Sequence, residues 1–382
     1  MSFAHNIIES IWRRQRVWSR IGWATLTPFS AAFSLVVRAR NLGYDLGLLP
    51  VTHAPLPVIS VGNLIVGGTG KTPLTLWLAQ ALQQRGYNVG IITRGYGGTA
   101  TGPTLVGKEG SPLATPTEVG DEAVMLARRF PGVVIAGRDR VTAATFAHQH
   151  FSLDLVILDD GFQHRRLHRD VEIVLLAARG LTNTWLLPAG PFREPLTSMR
   201  RAHAIVFSKK TNTQKSSLLS VATCNTQHAT RNTQSLMPVF HADLMPTALV
   251  HVVHGQWLEQ PLSGLRGTRV MIVTGIANPE PLYSTIREHG AELARVVEFP
   301  DHHSYTHSEW QSIVEESRSF DVLLTTEKDL VKLERFSPVT DRLRALRVQL
   351  QLEPAEAFLT VIERRYCTRN KDRTDNGRTI SD

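Results

Sequence analysis

The chain has 382 residues, 42% hydrophobic and 20% charged, which suits two or three domains with substantial cores and excludes wholesale disorder. Its formal charge is +8, but the excess sits at the ends. Residues 1–40 hold six Arg against Glu9, residues 364–382 hold six Lys or Arg against three Asp, and between them 30 basic and 30 acidic residues cancel. A neutral body excludes a nucleic-acid protein, which needs basic residues lining a folded groove, and leaves an anionic surface met by the chain ends.

Ile21 to Val37 is an uncharged run of 17 residues interrupted by Pro28, at the bottom of the spanning range of about 17–25 residues. Val36-Val37-Arg38 offers no small-residue cleavage site, so a secretory signal is not expected. Ile7, Ile8, Ile11, Trp12 and Trp18 can share one helical face, with Arg13, Arg16 and Arg20 opposite. Residues 1–45 are therefore expected to form a membrane-associating helical segment lying in the interface. Six Arg at about 1 kcal/mol each near anionic lipid give at most about 6 kcal/mol, which suits peripheral attachment. A helix packed on its own domain is the plain alternative.

Further along, Leu56–Val61 reads as a buried strand, followed by a Gly-rich turn and a helix carrying Leu74, Leu78, Ala81 and Leu82 that stops at Arg85-Gly86. Strands follow at Val89–Thr93, Val133–Ala136, Leu155–Leu158, Val171–Leu176 and Ala204–Phe207, with helices at Asp121–Arg129 and Ala143–His150. This alternation predicts an α/β domain over 46–210, a parallel sheet flanked by helices. From Thr211 to Leu236 the composition turns to Thr, Asn, Gln and Ser, read as a loop or insertion. A second, smaller α/β unit over 266–363 is expected from strands Val270–Thr274, Arg295–Phe299, Asp321–Thr325 and Leu346–Leu350 and helices near Pro281–His289 and Ser308–Ser317. The tail 364–382 is polar and basic and is expected to be disordered. Cys224 and Cys367 are read as free thiols in a reducing cytoplasm.

The strongest chemical signal is Val61-Gly-Asn-Leu-Ile-Val-Gly-Gly-Thr-Gly-Lys-Thr-Pro73 between a strand and a helix. Such a loop lets backbone N–H groups approach phosphate oxygens at a helix N-terminus. Ile65, Val66, Gly67, Gly68, Thr69, Gly70, Lys71 and Thr72 are the expected nucleotide loop, with Ile65 where the strict phosphate-loop pattern has glycine. Lys71 is expected on the β/γ-phosphates and Thr72 on Mg²⁺. The apolar run Leu155–Leu158 ending in Asp159-Asp160 is the second signal, two carboxylates at a strand end that suit a hard cation. Asp121-Glu122, Asp301-His302-His303 and Arg193-Glu194 are three further polar clusters, each equally compatible with a helix cap, a turn or a surface ion pair.

Taken together, the motifs resemble the tetraacyldisaccharide 4′-kinases, the lipid A 4′-kinases of Gram-negative bacteria. The resemblance rests on the phosphate loop, Thr93-Arg-Gly-Tyr-Gly97, Gly120-Asp-Glu122, Asp159-Asp-Gly-Phe-Gln-His164, Leu187-Pro-Ala-Gly-Pro-Phe-Arg-Glu194, Gly275-Ile-Ala-Asn-Pro279, Phe299-Pro-Asp-His-His303 and Thr326-Glu-Lys-Asp329. It implies transfer of the γ-phosphoryl of ATP to the 4′-hydroxyl of an acylated disaccharide 1-phosphate, at the cytoplasmic face of the inner membrane. It implies two α/β lobes joined by a β-linker, here within 211–265, and a dyad with one member in each lobe. Asp121 becomes the general base, assisted by His302 or, as the weaker choice, His303. Asp159, Asp160 and Glu194 match positions implicated in Mg²⁺ binding, and Tyr96 matches a residue near the nucleotide. Arg94, His164 and Arg193 match polar residues lining the site. A regulatory phosphate-loop ATPase or GTPase, a metallochaperone-like switch, also accounts for Lys71 and Asp159 but gives the basic, Trp-bearing N-terminus no role.

Overall fold

The computed structural model describes residues 7, 8, 10–12, 14, 17–177, 183–208, 237–336 and 340–376, with side chains to 366. Arg13, Arg16, the 211–236 stretch, Cys224 and residues 377–382 lie outside the described residues, as does the side chain of Cys367. The chain folds into two compact α/β units made from interleaved stretches. Of the described residues, those within 8–94, 135–243 and 350–382 form one unit, and those within 1–7, 95–134 and 244–349 form the other. The contiguous boundaries expected from composition differ from this division, because residues 95–134 leave the phosphate-loop unit and pack with the C-terminal stretch.

In the phosphate-loop unit the strands Ala204–Ser208, Val171–Ala177, Val58–Gly62, Leu155–Asp159 and Val89–Thr93 lie side by side in that order, all parallel. Each is apolar and buried on both faces, as a helix-covered parallel sheet requires. The start of strand Val239–Val253 continues the sheet beside Ala204–Ser208. Leu64, Phe162, Val174, Leu176, Phe192 and Phe207 form one shared core beneath the loops at the strands' carboxyl ends. There the loop after Val58–Gly62 and the end of Leu155–Asp159 become neighbours, since their strands pair in register.

The helix Val17–Asp45 belongs to this unit and contains Pro28. Ser19, Ser30, Val37 and Asn41 bury one narrow seam, while Val17, Trp18, Ile21, Phe29, Leu35, Val36 and Leu42 are exposed. The seam is fixed by Ser30 donating to the Leu186 carbonyl and Asn41 donating to Glu194, and Trp12 donates to the Pro188 carbonyl. Trp12 was expected on the membrane-facing side and is instead tied to the protein. The unpartnered apolar face is the one that starts at Val17. No helix among the described residues is long and apolar enough to cross a membrane.

The tail also departs from expectation. The helix Ala355–Asn376 runs through residues 364–376. Its first turns bury Phe358, Leu359 and Ile362, and Arg85 pairs with both Glu356 and Glu363. That apolar stripe nucleates a helix whose polar continuation had read as disordered.

In the second unit, strands Glu292–Glu298, Arg269–Thr274, Val322–Thr326 and Leu343–Glu353 are parallel neighbours in that order. Period-two alternation sends Met271 and Val273 to one face, with Tyr305, Trp310 and Leu330, and Val270 and Ile272 to the other, with Leu282 and Ile286. Val239–Val253 and Gln256–Gln260 form a hairpin turned by His254 and Gly255, both at positive φ. The helix Asp121–Arg129 is held by Arg128 on Glu334 and by Arg129 on the buried Glu327, which also takes Arg347.

Candidate active site

Two constellations of chemically capable side chains emerge, one in each unit. In the phosphate-loop unit, Leu64–Val66 pairs with Pro191–Arg193 through Val66 N–H to Pro191 O and Arg193 N–H to Leu64 O. Ile65 is accordingly buried in the core, bridged to Phe192. Past it, Gly67 and Gly70 take φ of 107° and 93°, and Gly70 precedes the helix Lys71–Gln84 without a side-chain cap. Among the described residues, no backbone carbonyl takes the N–H of Gly67, Gly68, Thr69 or Gly70. These groups stand ready for phosphate oxygens. The loop is pinned by Asn63 donating to Thr69 Oγ1 at 2.9 Å.

At its edge, Lys71 Nζ lies 3.7 Å from Asp160, and Arg193 grips the same carboxylate with contacts of 2.9 and 3.1 Å. Burial acts to raise the Asp160 pKa, but Lys71 and Arg193 outweigh it and hold the group below the usual carboxylate value. Asp160 sits at φ 52°, a left-handed conformation fixed by these partners. Asp159 is buried and accepts from Thr72 Oγ1 at 3.1 Å and Thr75 Oγ1 at 3.0 Å. A threonine following the loop lysine, joined to an aspartate at a strand end, is the donor pair that suits Mg²⁺ beside phosphates. Among the described residues no group of three His, Cys, Asp or Glu could hold a metal ion by itself.

Glu194 has a wholly buried carboxylate that takes Arg201, Arg40 and Asn41, with burial's upward push on its pKa overcome by Arg201, Asn41 and Ser198. These contacts tie it to the helix Val17–Asp45; the Mg²⁺ role the resemblance implied for it was direct or through water. His164 has its pKa pushed down to about 4, by burial first and then by Arg140, and is neutral at pH 7. Arg140, also missed in the sequence, is buried and donates to the Asp159 carbonyl. Arg94 is exposed at the end of Val89–Thr93.

The second constellation lies in the other unit. Asp121 opens its helix directly after Gly120, where φ is 86° and a Cβ would stand 2.2 Å from the Tyr96 carbonyl, so only glycine fits. Its Oδ1 accepts from Glu122 N–H at 2.9 Å and meets His302 Nδ1 at 3.1 Å. His303 instead meets Glu309 at 3.2 Å, so geometry separates the two histidines. The Tyr96 ring, largely exposed, lies 5.2 Å from the His302 ring.

Two lysines on the helix Glu327–Leu333 reach this pair. Lys328 lies 3.1 Å from His302 Nε2, and Lys332 lies 3.5 Å from Asp121 Oδ2 and 2.8 Å from Asp329. Burial pushes the Asp121 pKa up, but His302, Lys328 and Lys332 prevail and keep it low. The hydrogen bond to Asp121 raises the His302 pKa against burial and Lys328. The sequence named Asp121 and His302, yet assigned nothing to Lys328 or Lys332. Their only signal was the Thr326-Glu-Lys-Asp329 motif at a strand end and their four-residue spacing.

The family profile described as Tetraacyldisaccharide-1-P 4'-kinase matches residues 22–366, which is most of the chain. The chain belongs to this kinase family. A tetraacyldisaccharide 4'-kinase of Geobacter sulfurreducens is 40% identical over 89% of this chain and 94% of its own. One from Geobacter metallireducens is 38% identical over 85% and 91%. Among solved structures, LpxK from Aquifex aeolicus in complex with ATP matches with a TM-score of 0.72 and 32% identity, covering 90% of this chain and 99% of that one. Membership in the tetraacyldisaccharide 4′-kinase family favours a kinase over the regulatory ATPase or GTPase alternative, and the fold is the α/β architecture expected.

Proposed function

We propose that this chain transfers the γ-phosphoryl of ATP to the 4′-hydroxyl of a tetraacyldisaccharide 1-phosphate, with Asp121 as general base. One arrangement carries the reading. In a family whose members phosphorylate a disaccharide, Asp121 is charged and buried, with Oδ1 held by His302 and Oδ2 free of any hydrogen bond among the described residues. An acceptor oxygen of that kind suits a hydroxyl proton.

In the reaction, the 4′-oxygen forms its bond to the γ-phosphorus as the bond to the bridging oxygen breaks. Asp121 takes the hydroxyl proton and ADP leaves. A sugar hydroxyl is far too weak an acid to ionise at pH 7, and a positioned base contributes typically about 10²–10⁴-fold. In a loose transition state the proton moves late, so a carboxylate with a low pKa suffices. Lys71 and the loop N–H groups hold the β/γ-phosphates, and Arg193 orients Asp160 beside them. Thr72, Asp159 and Asp160 would hold Mg²⁺, which when bound neutralises charge on the transferred phosphoryl. Tyr96 is assigned to the nucleotide, and Arg94, Arg193 and neutral His164 to substrate.

The exposed apolar face of Val17–Asp45 and its Arg residues fit an anionic lipid surface, where this acceptor resides. This supports reading the enzyme as a peripheral protein on the cytoplasmic face of the inner membrane. The test is incubation of the full chain with ATP, Mg²⁺ and the tetraacyldisaccharide 1-phosphate, reading the product by mass and phosphorus NMR. One added phosphate at the 4′ position is expected. ATP hydrolysis with an unmodified disaccharide would overturn the reading.

A further inference from the structure

We propose that Lys328 is a positioning residue that fixes the tautomer of His302, confining the ring proton to Nδ1 so that Asp121 is held with Oδ2 toward the acceptor hydroxyl. The proposal deepens the catalytic reading of Asp121 and rests on it.

An ammonium group has three N–H donors and no acceptor. Those of Lys328 have three partners, Asp301 Oδ1 at 2.9 Å, His302 Nε2 at 3.1 Å and Glu122 Oε1 at 3.3 Å. Nε2 must therefore accept, and the neutral ring carries its proton on Nδ1, which faces Asp121 Oδ1 at 3.1 Å. With Glu122 N–H on the same oxygen, Oδ1 is doubly held, while Oδ2 accepts no hydrogen bond among the described residues and has the Lys332 ammonium 3.5 Å away. The groups facing His302 are Asp121, Asp301, Lys328 and the Tyr96 ring, with Glu122 and Lys332 behind them. Lys328 is the cation among these that touches the ring. Its two carboxylate anchors and partial burial fix it there.

The test is nitrogen NMR of the full chain labelled at histidine, recorded above the pH of ring titration, with His302→Ala assigning the signal. Wild type is expected to show a proton-bearing Nδ1 and a bare Nε2. In Lys328→Met, where the Asp121 carboxylate alone still favours the Nδ1 proton, a fraction of proton-bearing Nε2 should appear beside it, and turnover should fall about tenfold, less than removal of the base itself. KM for ATP should stay within about twofold, since the lysine acts through His302 and not on the nucleotide. The acid limb of kcat/KM should move to higher pH, because a cation that lowers the Asp121 pKa is gone. Lys328→Arg should keep the Nδ1 proton and most turnover. A wild-type ring protonated on Nε2 would overturn the proposal even if neither variant folds. So would wild-type ring signals in Lys328→Met. The ring readout needs no phosphoryl transfer, so failure of the kinase reading shows separately, as absence of product from the wild-type chain.

Discussion

Asp121 and His302 pull each other's proton affinity in opposite directions, and the signs decide how the pair responds to pH. His302 has a raised pKa, so its share of stability is complete below the ordinary value of about 6.5 and is lost as pH climbs through the folded value. Asp121 has a lowered pKa, so its share is complete above about 3.9 and is lost as pH falls through the folded value. The pair contributes most between those limits. Asp121→Asn removes the raising partner, and the ring titration of His302, followed by proton NMR, should drop toward or below about 6.5. An unchanged titration would mean that the contact does not set the ring's charge. At this scale the sequence was informative only through family motifs: Asp121 after a glycine and two adjacent histidines. It could not separate His302 from His303, because that choice is made by a turn in which His302 takes φ 59° and His303 goes to Glu309.

The helix Val17–Asp45 is both anchor and apolar surface. Its buried seam depends on Glu194, whose carboxylate neutralises Arg201 and Arg40 and orders Asn41. Glu194→Ala removes the counter-charge of Arg40 and leaves Arg201 only Glu172, 3.8 Å away, and should cost about 3–5 kcal/mol in denaturant unfolding. A loss below about 1 kcal/mol would show that Glu194 is not the anchor. On the opposite face, each large apolar side chain moved from water to lipid is worth about 1.5–3 kcal/mol. Replacing Ile21, Phe29 and Val36 together by Ser should lower flotation with anionic liposomes at least about tenfold. Undiminished binding would remove this face from the membrane account. The uncharged run was legible in composition, but its outward face was not. Which residues turn inward is decided by distant partners such as Leu186, Glu194 and Ser198, 153 to 157 residues away.

Across the whole molecule, the alternation of strands and helices announced parallel strands in both units, because apolar runs bounded by glycines are set locally. The interleaving of the units was not announced. Residues 95–134 join 244–349 through Arg128 with Glu334 and Arg129 with Glu327, ion pairs 206 and 198 residues apart that leave no local signature. The consequence is functional. The expected dyad, one member per lobe, lies within a single unit and has Asp121 and His302 already 3.1 Å apart.

The proposed role of Asp121 is that of the base in phosphoryl transfer to a disaccharide hydroxyl. It is tested most directly by turnover of Asp121→Ala at saturating ATP and acylated disaccharide 1-phosphate. The account predicts a fall of at least about 10²-fold with ATP affinity nearly unchanged. Turnover within a few-fold of wild type would contradict it.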